Sequence, residues 1–164
     1  MASSAIAAID PRALRDAAGR FATGVTIVTT RDESGTPVGL TANSFSSVSL
    51  DPPLVLWSLA KTSRAAPAFV TADHFAIHVL GKDQQDLAQR FASPVADRFA
   101  GVEQGQGASG VPLLPGCSAR LECSTWAVVD GGDHHVFIGR VVAIDAPDEP
   151  RGSLVFLAGG FHTL

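Results

Sequence analysis

Short apolar runs punctuated by turn residues fill most of the chain, and helical spacing is confined to three stretches. The first is N-terminal. Asp10 suits a helix cap and Pro11 the first helical position, and Leu14, Ala17, Ala18 and Phe21 then recur at helical intervals up to Gly24. Val25–Thr30 is β-branched throughout, and Val38–Asn43 follows it across a turn rich in Asp, Ser, Gly and Pro, which predicts a hairpin. Phe45–Leu50 is a further strand, broken by Asp51-Pro52-Pro53. Leu54–Leu59 is almost wholly apolar, as expected of a strand covered on both faces. Thr62 or Ser63 then caps a short helix running through Val70, Phe75, Ile77 and Val79 mark a strand, and Gln84–Phe91 reads as the third helix.

Pro94–Gly116 is rich in Gly, Pro, Ser and Ala and predicts a long irregular segment, a kind that is often functional. Two long strands, Arg120–Val129 and Val136–Ile144, are joined by Asp130-Gly131-Gly132-Asp133, a strong turn signal. Ser153–Leu157 and Phe161–Thr163 are placed to close the sheet. Six or more strands on tight connections predict a mainly β, antiparallel barrel, because parallel strands need longer crossovers.

Composition narrows the possibilities. The 164 residues fit one domain, 1–164, with a core of its own. Only 17% are charged, below the usual share of about 25%, so part of the surface is expected to be covered by another subunit. The net charge is −4 and no Lys/Arg run is present, which argues against nucleic acid as a partner. Cys117 and Cys123 form neither a CxxC pair nor a disulfide framework, consistent with the reducing cytoplasm. Met1–Ala8 lacks the basic start and apolar core of a leader, and no apolar run approaches the length that spans a bilayer.

Three stretches carry candidate chemistry. Thr41–Val48 (TANSFSSV) crowds small hydroxyl and amide side chains at a strand end, where a flat ring can approach the backbone and hydroxyls can bond a phosphate. Lys61-Thr62-Ser63-Arg64 sets two cations and two hydroxyls at a helix start, a ready anion site or simply a capped helix. Gly132-Asp133-His134-His135 invites a metal, but adjacent residues of a strand point to opposite faces and no further ligands stand at a recognisable spacing. His78 reads as a satisfied strand residue. No GxGxxG follows a strand and no serine sits in GxSxG, so neither a Rossmann site nor a hydrolase nucleophile is expected.

Taken in order, FATGVTIVTT (Phe21–Thr30), TANSFSSVSLDPPLV (Thr41–Val55), DRFAGV (Asp97–Val102) and GDHHVFIGRV (Gly132–Val141) resemble the flavin reductase-like family, from about Leu14 onward. The resemblance implies a six-stranded antiparallel split β-barrel of Greek-key type with a few short helices. It implies an NAD(P)H:flavin oxidoreductase, using FMN or FAD with NADH or NADPH, that supplies reduced flavin to a separate monooxygenase. It also implies a homodimer with its sites at the interface. By the same resemblance Thr41, Ala42 and Asn43 run along the isoalloxazine, and Ser46, Ser47 and Val48 hold the ribityl-phosphate end. Lys61, Ser63 and Arg64 add phosphate contacts, and Thr23 and Val25 lie near the other side of the ring. Asp97, Arg98 and Phe99 cover the flavin or its adenylate, and His134 lies near the nicotinamide.

The tail departs from the family pattern. Where many relatives carry an arginine before a tyrosine and a histidine, Gly160, Phe161 and His162 stand here, and the chain contains no tyrosine. The resemblance implies that Phe161 and His162 are what this tail offers the dinucleotide, with its affinity or its choice between NADH and NADPH altered. The altered tail gives weight to an alternative, a flavin- or haem-binding split-barrel carrier or sensor without turnover. A homodimeric interaction domain is a third reading.

Overall fold

The computed structural model describes residues 8–149 and 151–164. The reading of Met1–Ala8 therefore falls, save for Ala8, outside the described residues. Turn chemistry sets the strand boundaries. β2 (Thr26–Arg31) and β3 (Pro37–Ala42) form the expected hairpin, whose turn is stitched by Asp32 Oδ1 accepting from the amides of Ser34 and Thr36 at 2.9 Å. β4 (Ser46–Leu50) pairs with β5 (Pro53–Ala60), and β6 (His74–Val79) pairs with β2. The long hairpin β9 (Ala119–Gly131) and β10 (His134–Asp145) turns at Gly132, whose φ of +84° suits a residue without a Cβ.

These strands make one antiparallel sheet in the order β3-β2-β6-β9-β10-β5-β4. The ladder thus holds seven strands, and β3 and β4 are its two edges. Two expectations are corrected here. β11 (Leu154–Leu157) and β12 (Gly160–Thr163) do not close the sheet; they form a separate three-stranded sheet with β1 (Thr23–Gly24). β5 is not covered on both faces either. Its burial alternates, with Val55, Trp57 and Leu59 inside and Leu54, Leu56 and Ser58 half-buried on the other face. A two-residue pair, β7 (Gly105–Gln106) and β8 (Pro112–Leu113), is the only regular structure in the long irregular segment among the described residues.

Two of the three helices are shorter than the periodicity suggests. α1 (Pro11–Ala18) has the expected cap, with the Arg12 amide donating to Asp10 Oδ1 at 3.0 Å, but it ends at Gly19 rather than Gly24. None of its residues is buried. α2 (Ala66–Thr71) starts after Ala65 with no side-chain cap, so Thr62 and Ser63 lie in the turn before it. α3 (Gln85–Ala92) matches expectation.

The core has two parts that share β2. On one face Trp57 stacks on Phe137 at 4.6 Å, with Phe69 of α2 edge-on at 4.9 Å. On the other, Val25 and Ile27 meet α3 through Ala88 and Phe91, together with Phe99, Leu114 and Leu154.

Candidate functional site

Strand order brings the site together. β3, β5 and the start of β10 converge on a cleft of about 290 Å3 lined by Leu40, Thr41, Ala42, Asn43, Ser44, Ser58, Leu59, Ala60 and His134. That volume is just under the range of about 300–1,000 Å3 typical of small-molecule pockets. Register explains the assembly: His134 pairs with Ala60, which puts the start of β10 beside the end of β5. Across the cleft, Ser44 Oγ accepts from the Ser58 amide at 2.9 Å and donates to the Ser58 carbonyl at 3.1 Å. This two-way bond ties the β3–β4 connection to β5, two residues beyond the β4–β5 ladder.

One wall is therefore built of small side chains. Ala42 is buried, and the Thr26 hydroxyl donates to its carbonyl at 2.7 Å, fixing it to β2. Thr41 Oγ1 donates to the Ala88 carbonyl of α3 at 2.6 Å, while Asn43 is exposed at the mouth. His134 faces this wall. Its Nδ1–H donates to Asp133 Oδ1 at 2.7 Å, which leaves Nε2 as the free nitrogen of the ring. Next to it Lys61 Nζ pairs with Asp130 Oδ2 at 2.6 Å, and the Lys61 amide donates to the Asp133 carbonyl at 2.9 Å. The hydrogen bond from Lys61 holds the Asp130 carboxyl below its ordinary range, and the one from His134 does the same for Asp133. The two histidines part company as expected, since His135 lies edge-on to Phe137 at 6.0 Å.

Other expected site residues fall into distinct places. Ser46, Ser47 and Val48 line exposed edge strand β4, with the Ser46 hydroxyl donating to the Ser47 carbonyl. Ser63 Oγ accepts from the Ala65 amide, and Arg64 is exposed. Thr23 pairs with Phe156, whose ring meets Phe161 at 5.3 Å, so Thr23 and Phe161 belong together on the smaller sheet. His162 is exposed beside them. Val25 and Phe99 are buried in the second part of the core, and the Arg98 guanidinium is bonded to the Ser93 and Gly39 carbonyls. Sequence reasoning missed Leu40, Ser44, Ser58, Leu59 and Ala60. The TANS run did contain Ser44, but nothing local marks Ser58–Ala60 as its partner.

Two features suit a flat, phosphate-bearing aromatic ligand. The wall at Ala42–Asn43 admits close approach to backbone, and Lys61 follows Ala60 of the lining, its ammonium charge shared with Asp130. Elsewhere Thr23 Oγ1 is buried with no hydrogen-bond partner among the described residues, a cost that a bound acceptor or donor relieves.

The family model described as "Flavin reductase like domain" matches residues 18–164. The chain belongs to this flavin reductase-like family. A probable flavin reductase of Rhizobium meliloti is 49% identical over 154 residues, covering 94% of this chain and 49% of that protein. The chain thus spans about half the length of that relative. The FMN reductase (NADH) SmoA of Agrobacterium fabrum is 47% identical, covering 92% of this chain and 84% of its own length. Among solved structures, a Streptomyces globisporus NADH:FAD oxidoreductase in complex with NAD and FAD fragments superposes with a TM-score of 0.88 at 37% identity, covering 97% of both chains.

Proposed function

We propose that this flavin reductase-like chain is an NAD(P)H:flavin oxidoreductase that serves a separate monooxygenase. The observation that carries the reading is the single cleft in which Thr41, Ala42 and Asn43 form one wall and His134 faces it. Support comes from relatives of matching size whose names state FMN or FAD with NADH, and from a relative named as the reductase component of a trigonelline monooxygenase. A flavin, when bound, supplies the acceptor for hydride from the nicotinamide. The chain's own residues then bind, orient and exclude water. Ala42 and Asn43 offer backbone along the ring, Ser46, Ser47 and Lys61 meet the phosphate end, and His134 Nε2 meets the dinucleotide. Thr23 with Phe161 and His162 forms a second contact region on the smaller sheet. No acid–base dyad is required, because orientation and near-attack distance do the work.

The reading extends to architecture. The Ser44–Ser58 tie holds the connection between edge strands β3 and β4 against β5, which supports a barrel split on that side. One domain, a homodimer and a cytoplasmic setting complete it; no helix among the described residues is long and apolar enough to cross a membrane. The test is oxidation of NADH and NADPH by purified protein, with and without FMN or FAD. Flavin-dependent oxidation is expected. Flavin retained through gel filtration with no oxidation of either nicotinamide would transfer the case to a carrier.

A further inference from the structure

The segment after α3 is strapped onto β3. Arg98 donates from Nε and Nη2 to the Ser93 carbonyl, and from Nη1 to the Gly39 carbonyl at 2.9 Å. Arg90, in the last turn of α3, donates from Nε to the Arg98 carbonyl at 2.7 Å and from Nη2 to the Ala100 carbonyl. Asp97 Oδ1 accepts from the amides of Phe99 and Ala100. Beneath these bonds Phe91 and Phe99 meet edge to face at 5.0 Å. A Cβ on Gly39 would lie 2.7 Å from Phe91 Cε1 and 3.1 Å from Phe99 Cζ, so the strap rests directly on this residue. Two residues on, Thr41 is bonded to α3 through the Ala88 carbonyl.

The position of this strap matters because β3 is an edge strand. β2 pairs with one side of it, and among the described residues no strand pairs with the other. A free edge leaves carbonyls without a ladder partner and lets the strand shift. Arg98 gives the Gly39 carbonyl the donor that a neighbouring strand would give. Two and three residues further along the same strand stand Thr41 and Ala42, which wall the cleft. A reacting pair has to be held to within about 0.5 Å of its productive geometry, so the edge that carries the wall needs such a fixing.

We propose that Arg98 is a positioning residue: held by Arg90, its guanidinium fixes the free edge of β3 through the Gly39 carbonyl and so sets the Thr41–Asn43 wall, instead of binding a flavin phosphate. This rests on the reductase reading. The test compares FMN with riboflavin, which has the same ring and no phosphate, in wild type, Arg98→Gln, Arg98→Lys and Arg90→Gln. Arg98→Gln is expected to raise the flavin KM about tenfold and to lower kcat by a similar factor for both flavins alike. Arg98→Lys, which keeps the positive charge and a donor on a long side chain, recovers part of the loss, and Arg90→Gln gives a smaller loss with the same FMN-to-riboflavin ratio. A loss confined to FMN, or no loss in either flavin, overturns the proposal. Amide hydrogen exchange at residues 40–42 supplies an independent readout. It is expected to quicken at least tenfold in Arg90→Gln and, if that variant folds, in Arg98→Gln. Unchanged exchange overturns the clamp even if flavin turns over. Absence of turnover in wild type strikes the reductase reading instead and leaves the exchange result standing.

Discussion

His78 and His134 show how position decides what an imidazole does. His78 is wholly buried, its Nδ1–H donating to the Ile27 carbonyl at 2.9 Å and its Nε2 accepting from the Leu114 amide at 3.0 Å. Both nitrogens are thus committed in a single neutral tautomer that joins β2, β6 and the segment before β9. Burial, with a smaller push from Arg120, lowers its pKa from 6.5 to about 4, against the pull of the Ile27 carbonyl. The unfolded chain therefore binds a proton that the folded chain refuses between these two values. The stability from this site is complete above pH 6.5 and is lost as pH falls towards 4, amounting to about 3 kcal/mol at most. Thermal unfolding scans should show Tm falling by roughly 10 °C over that window from this group, and the His78 ring resonances should not titrate between pH 7 and 5. Titration near the ordinary histidine value would refute the assignment. His134, by contrast, is half-exposed with one nitrogen free. His134→Ala is expected to raise the apparent KM for the nicotinamide, or to lower turnover, with flavin affinity near wild type. Unchanged kinetics would remove it from the site.

At the scale of elements, the strands were legible because turn residues punctuate them and the side-chain period is short. Helix ends were less so. The Leu14, Ala17, Ala18, Phe21 spacing continues past the point where Gly19 stops α1, since periodicity does not register where the backbone turns. Lys61–Arg64 resembles a helix cap, but Ser63 is spent in a turn closed by its amide on the Ala60 carbonyl and its carbonyl on the Ala66 amide. The wall of the cleft was readable at Thr41–Asn43, whereas its union with Ser58–Ala60 and His134 depends on a strand order that pairs residues far apart in sequence. The hairpin between β11 and β12 shows another local fact that composition hides. Its two turn residues, Ala158 and Gly159, both have positive φ, +49° and +82°, the conformation for which Asn-Gly is preferred. An alanine there carries a cost of about 1–2 kcal/mol. Ala158→Asn should therefore stabilise the protein by about 1 kcal/mol and raise Tm by about 2–4 °C, while keeping the hydrogen bond that the residue-158 amide donates to the Gly19 carbonyl. A fall in Tm would show that the turn is shaped by that docking contact rather than by intrinsic preference.

For the molecule as a whole, the open question is what covers the outer face of the long hairpin. Between Ile138 and Gly139 the β9–β10 register slips, leaving Trp126 as the extra residue of a bulge. Trp126 is 53% exposed, with Val129 and Val142 also on the surface. The half-buried Leu54 and Leu56 of neighbouring β5 extend the apolar character. Apolar side chains left exposed along one hairpin suit an interface in a chain with so few charges. A second copy of the chain is the partner expected, because a stable pair needs about 1,200 Å2 or more of buried surface and a long two-stranded face repeated by a twofold axis provides a large one. Sedimentation equilibrium should therefore give twice the mass of the chain at micromolar concentration. Trp126→Glu buries a charge in that contact and should shift the protein to monomer. Because His134 begins β10 at the tip of the same hairpin, the monomer should also show a raised KM for its substrates. A wild-type protein that sediments as a monomer would sink the dimer, and a Trp126→Glu variant that stays dimeric would move the interface to another exposed apolar set, Leu14 on α1 and Phe21 just after it.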